Sequence, residues 1–135
     1  MPNKGDVADT AGIITKSTTG GSVTDTVSAL IEAVQEHGMT VFATIDHSGE
    51  AHKHGLTLRD TAVVIFGSPI AGTPVMQASP LAALDLPLRV LVWDDDGQTN
   101  VSYTDPDVLA TRHHLSDELA SRLAGIGPLT DGLVA

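Results

Sequence analysis

Between residues 22 and 38 the apolar positions fall at Val23, Val27, Leu30, Ile31 and Val34, spaced i, i+4, i+7, i+8 and i+11. This spacing lines one side of a helix. Ser22 stands where an N-cap is needed, Asp25 three residues on completes a capping box, and Gly38 supplies the stop. The period then changes from helical to two. Over residues 39–45, Met39, Val41, Ala43 and Ile45 fall on one face of a predicted strand and Thr40, Phe42 and Thr44 on the other. Residues 61–66 (TAVVIF) form a β-branched run suited to a central strand buried on both faces. Residues 86–93 and 98–103 flank Asp94, Asp95, Asp96 and Gly97, and Asp-Gly between two strand-like runs predicts a hairpin.

The remaining signals are local. Ile13 and Ile14 predict a first strand over residues 12–16. Thr73 followed by Pro74 reads as an N-cap with proline at the first helical position, predicting a short helix to about Ser79 before Pro80. Asp105-Pro106 repeats that signature, and Leu119 with Leu123 suggests one more helical region before a tail broken by glycine and proline. Residues 46–60 are polar and rich in His and Gly, a loop with room for one short helical turn. The order β-α-β-β-α-β-β-α predicts an α+β fold, a single two-layer sandwich with helices packed on a mixed or antiparallel sheet. Residues 1–11 read as a flexible leader and residues 12–135 as one domain. Strand order is not encoded in this pattern.

Composition narrows the function classes. Apolar residues make up 41% and charged residues 18%, a balance that folds rather than stays disordered. Phe42, Phe66, Trp93 and Tyr103 are the whole aromatic set, so the core must be aliphatic. A formal net charge of −10 argues against nucleic acid and against anionic membrane surfaces. The absence of cysteine excludes thiolate catalysis, disulfides and sulfur-ligated metals. No apolar run reaches membrane-spanning length and no signal-peptide core opens the chain, so the expectation is a soluble cytoplasmic protein.

Several residues invite chemistry. His47, His52 and His54 are spaced H-x4-H-x-H, and their imidazoles would make a metal site if the loop folded them together. Asp46 beside His47 suggests a general base tuned by a carboxylate, although neighbours on an extended chain point to opposite sides. His113 and His114 follow the Asp105 helix, and their 100° divergence lets one of them point inward. Gly67, Ser68, Gly72 and Thr73 connect a buried strand to a helix N-terminus, where free N–H groups attract anions. No Walker lysine or GxGxxG accompanies them, and the sequence names no cofactor. Asp85, set in an apolar stretch, is a general acid of raised pKa, a turn cap, or the ion-pair partner of Arg89 or Arg59. Trp93 and Tyr103 read as an aromatic pair across the hairpin, able to line a pocket.

The segments IDH at 45–47, LRD at 58–60, IFGSPIAGTPVMQ at 65–77, LDLPLRVLVWDDDG at 84–97 and SYTDP at 102–106 resemble a bacterial family, domain of unknown function 302 (DUF302). The resemblance runs from about Gly12 to Leu115. It implies a compact α+β sandwich and a homodimer, and it implies no established reaction. Where relatives read GNP, this chain has Gly67-Ser68-Pro69, so no role for an amide at position 68 carries over.

The reading that results is a homodimeric module binding a small polar or anionic metabolite. The ligand would lie between the Gly67–Thr73 turn, with Ser68 and Gly72, and groups around His47, Asp85, Trp93, Tyr103 and His113. This requires those segments to converge. An antiparallel pairing of the second and third strands would instead leave Thr73 remote from His47. The alternatives are a cofactor-free enzyme with His47 as general acid/base and Asp85 or His113 as its partner, and a metal-binding protein built on His47, His52 and His54.

Overall fold

The computed structural model describes residues 11–134. Five strands form one sheet: β1 (Ile13–Ser17), β2 (Thr40–Asp46), β3 (Thr61–Gly67), β4 (Leu88–Asp95) and β5 (Gln98–Thr104). Their order is β1-β5-β4-β3-β2, and every neighbouring pair is antiparallel. β3 therefore runs against both β2 and β4. The hairpin from β4 to β5 turns at Asp96 and Gly97, both at positive φ (50° and 94°), the backbone that a two-residue type I′ turn requires.

The first helix, α1 (Val23–Glu36), is built as its spacing predicts. The Ser22 side chain accepts from the Asp25 N–H and Asp25 returns the bond, while Val23, Leu30 and Val34 are buried against the sheet. Phe66, Val64, Val90, Val92 and Val101 meet them from the strands. The expected loop over residues 46–60 contains a helix, α2 (His47–Lys53), because the Asp46 carboxylate accepts from the Gly49 N–H and caps it.

The next helix starts earlier than predicted. α3 (Pro69–Ala78) is capped by Ser68, whose hydroxyl accepts from the Ala71 N–H at 3.2 Å, and Pro69 holds the first helical position. Ser68-Pro69 thus uses the signature read at Thr73-Pro74. Thr73 is exposed in mid-helix, and Pro74 sits inside the helix rather than opening it. A 3-10 turn (Pro80–Leu84) leads into the cis Leu86–Pro87 peptide bond and β4. Three short helices follow: α4 (Pro106–Arg112), α5 (Asp117–Ser121) and α6 (Ile126–Asp131). The last is the tail expected to be broken, and burial of Ile126, Leu129 and Thr130 holds it helical.

One strand departs from simple alternation. Between Val41 and Ala43 the β2–β3 register shifts, so Val41 pairs with Phe66 but Ala43 pairs with Ile65. This bulge moves Ala43 and Ile45 to the face opposite Val41, where the two-residue period alone put all three together. The helices gather over the Val64 face and the ends of the sheet. On the other face Val63, Ile65, Leu91 and Trp93 stay partly exposed.

Two polar ties lock the helices to this frame. The Lys16 ammonium donates to the Gly127 carbonyl (3.0 Å), the Thr130 hydroxyl (2.8 Å) and Asp131 (2.7 Å), joining β1 to α6. Burial opposes its charge, yet the Asp131 bond and the nearby Tyr103 outweigh this and raise its pKa. At the opposite end of the sheet from α2, Asp85 joins the 3-10 turn to α4. The His113 Nε2–H donates to Asp85 Oδ2 at 2.6 Å, and Arg112 donates to the same oxygen at 3.1 Å. The His113 bond, aided by Arg112, outweighs burial and holds the Asp85 carboxyl below its ordinary value of 3.8. Asp85 is therefore not an acid of raised pKa, and its partners are neither Arg89 nor Arg59.

A depressed folded-state pKa contributes stability that is present above the unfolded value and is lost as pH falls through the folded one. Asp85→Asn is expected to lower the urea midpoint at neutral pH. The gap to wild type should close as pH drops below 3.8. Equal midpoints at neutral pH would show that the tie contributes nothing.

Candidate functional site

At the end of the sheet where β3 runs into α3, an apolar cavity of about 150 Å³ opens between the strands, α3 and the residues after α5. Met39 and Phe42 close it from β2 and its approach, Met76 from α3, and Leu86, Pro87 and Leu88 from the start of β4. Gly67, Ser68 and Gly72 line it between β3 and α3, and Arg122 and Leu123 complete it from the residues after α5.

Each wall has a local cause. The bulge leaves Phe42 outside the regular pairing, and the residue, which lines the cavity, is 50% exposed. Antiparallel pairing of Phe66 with Leu88 brings Leu86 and Pro87 next to Gly67. A side chain on Gly67 would meet Pro87 at 3.6 Å and the Phe42 ring at 3.8 Å, so glycine there keeps the space between them open. Gly72 lies one helical turn before Met76, and a Cβ on it would touch only the Met76 methyl, at 3.9 Å. Methionines suit such a wall because their unbranched thioether chains adapt to what enters.

The residues singled out in the sequence divide among three places. Gly67, Ser68 and Gly72 line the cavity, but Thr73 does not. Asp85 and His113 do come together at this end of the sheet, in the tie described above. There Asp85 also borders a separate cleft of about 170 Å³ with Arg89 and Thr104. His47 lies at the far end: Asp46 pairs with Ala62 while Thr40 pairs with Gly67. Six residues of strand, roughly 20 Å, separate the two ends. His47 and Asp85 are therefore not partners.

The remaining candidates are also separated. His47, His52 and His54 do not converge: His47 opens α2, His52 lies in its last turn, and His54 is its C-cap. Among the described residues no group of three or more His, Asp or Glu is placed to hold a metal ion. His52 instead faces an open groove of about 300 Å³ with Asp46, Ser48 and Asp60. The Gly49 N–H, with the Ser48 hydroxyl, holds Asp46 below the usual carboxylate range, as befits a helix cap. Trp93 and Tyr103 occupy opposite faces of the sheet. Trp93 pairs with Asn100 and donates to the Ser102 hydroxyl at 2.9 Å, whereas Tyr103 is buried under Lys16.

Phe42, Met39, Met76, Leu86, Pro87 and Arg122 are cavity residues that sequence reading passed over. Their apolar character reads equally as core, and only Met76, one turn from Gly72 on the same helix, carried a usable local signal.

Comparison with known proteins agrees with this fold. Residues 14–127 match the family described as Domain of unknown function DUF302. The chain is 38% identical over 114 residues to a Brucella suis protein named fluoride-specific ion channel FluC 1, covering 81% of this chain and 45% of that protein. A Brucella melitensis protein named fluoride-specific ion channel FluC 2 matches at the same identity, with 42% of its length covered. The chain thus spans less than half the length of these curated relatives. The crystal structure of an uncharacterized conserved DUF302 protein from Bacillus stearothermophilus superposes with a TM-score of 0.76 at 18% identity, over 91% of this chain and 95% of that one. With the sequence match covering most of the domain and the same fold in a solved relative, the chain belongs to the DUF302 family.

Proposed function

We propose that this chain is a small-ligand-binding domain whose site is the cavity walled by Phe42, Met76, Leu86 and Pro87. The observation that carries this reading is a space of about 150 Å³ with apolar walls reaching the surface at a half-exposed aromatic ring. A cavity of about that size in an apolar core takes up a benzene-sized molecule. The ligand class that fits is therefore a single small ring or a branched aliphatic group. This shifts the expected ligand away from a fully polar metabolite held at a helix terminus.

An acid–base enzyme has less support. His47 is roughly a strand length from Asp85, and both Asp85 and the ring nitrogen of His113 facing it are committed to a bond between two elements. A metal protein built on the three α2 histidines lacks convergence of those side chains. Among the described residues no helix is long and apolar enough to cross a membrane. We accordingly assign the channel activity named for the Brucella proteins to the part of their length that this chain does not match, and read the matched part there as an accessory binding unit.

Gly72→Leu tests the site directly. The new side chain would project toward Met76 and fill the cavity, and replacing glycine inside a helix favours folding by about 0.5–1 kcal/mol. Ligand-observed NMR against a panel of small arenes and branched aliphatics should show binding to wild type and none to Gly72→Leu, with an equal or higher melting temperature. Absence of wild-type binding to every panel member would overturn the proposal. The homodimer implied by the family resemblance forms part of the same reading. Light scattering over a range of concentrations should give the mass of two chains, and a single-chain mass throughout would remove it.

A further inference from the structure

We infer that the cavity selects ligands bearing a carboxylate, with Arg122 as the charge-reading residue; this rests on the cavity being a binding site. Arg122 follows α5 as its C-cap residue and is the only charged side chain among the described residues lining the cavity. The other walls supply methionine, leucine, proline and phenylalanine surface, which holds a ring but does not distinguish one end of it from the other.

Arg122 has donors to spare for this role. Its side chain is one-third exposed, and its ion-pair partner Glu118 lies at 3.5 Å on the preceding turn with 81% exposure. An i,i+4 pair at such exposure is weak. A guanidinium carries five N–H donors in a planar fork that matches a carboxylate, so one distant, solvated acid leaves most of that capacity open. A ligand carboxylate at the cavity mouth would take the second edge of the fork or displace Glu118. Among the described residues no acidic side chain lines the cavity to oppose it.

The rest of the molecule works against an anion. With a formal net charge of −10, the long-range field repels it. Any preference for a carboxylate over a neutral molecule of the same shape must therefore come from groups at the cavity, where Arg122 carries the one full charge among the described residues and the α3 N-terminus is already capped by Ser68. It should vanish when that charge is removed. Glu118 is then a competitor built into the site rather than part of the binding surface.

Benzoate and benzyl alcohol form a suitable probe pair, since they share a ring and differ in charge. Calorimetric titration of the full chain should show benzoate binding wild type about tenfold more tightly than benzyl alcohol, the scale of one charge-assisted hydrogen bond partly exposed to water. Arg122→Met should erase this preference, so that the two probes bind with similar affinity, and a melting temperature like that of wild type shows that the variant is folded. Glu118→Gln should tighten benzoate alone. Equal affinities for the two probes in wild type, or a benzoate preference surviving in Arg122→Met, would overturn the inference while leaving the binding site intact. Failure of both probes to bind wild type would overturn the inference and the site together.

Discussion

The antiparallel pairing of β3 with both of its neighbours is the constraint on which the other features depend. Because β2 enters where β3 leaves, everything attached to the end of β2 is carried away from everything attached to the end of β3. The histidines of α2 go to one end of the sheet and the α3 turn goes to the other. Because β4 also runs against β3, its first residues return beside Gly67, and Leu86 and Pro87 close a space that neither strand could enclose alone. Buried Val64 and Phe66 hold that pairing in place from beneath, packed against α1 and β4.

The cavity sits at the seam between two apolar clusters. One fills the space between α1 and the sheet; the other gathers Val75, Ala82, Leu109 and Leu123 from α3, the 3-10 turn, α4 and the end of α5, and Leu88 touches both. Such seams are where packing of short elements is hardest to complete, since each helix satisfies its own contacts first. Here glycine at positions 67 and 72 removes the side chains that would have filled the gap, and the β2 bulge turns Phe42 across its opening. An unfilled apolar space costs stability. Its persistence beside Arg122 is the observation on which the proposed binding site rests.

The polar residues that looked most chemical prove mostly to be fasteners. Asp46 caps α2, Ser68 caps α3, and Asp105 caps α4. Asp85 and His113 join elements from distant parts of the chain, as do Lys16 and Asp131. A carboxylate held ionised by a histidine and an arginine is a poor proton donor, so the same bonds that stabilise the α4 end argue against acid chemistry there. Trp93, by contrast, donates its N–H to Ser102, and its ring lies under the Arg59 guanidinium on the face where Val63, Ile65 and Leu91 are partly exposed.

The chain's local order was legible without coordinates. The α1 spacing with its Ser22–Asp25 box, the Asp96-Gly97 turn, the Asp105-Pro106 cap and the TAVVIF strand each depend on residues within one turn or one strand of one another, and each formed where the pattern put it. Ser68-Pro69 and Thr73-Pro74 carry the same local signature, and the helix that buries Val75 starts at the first of them. The same holds for the tail, whose glycines and proline disfavour a helix until Ile126 and Leu129 are buried. Strand order, the bulge at Phe42, and the meeting of Met39, Met76, Pro87 and Arg122 around one cavity were tertiary decisions. They join residues tens of positions apart through burial and pairing, and no short-range pattern in a single chain records which distant apolar side chains will share a wall.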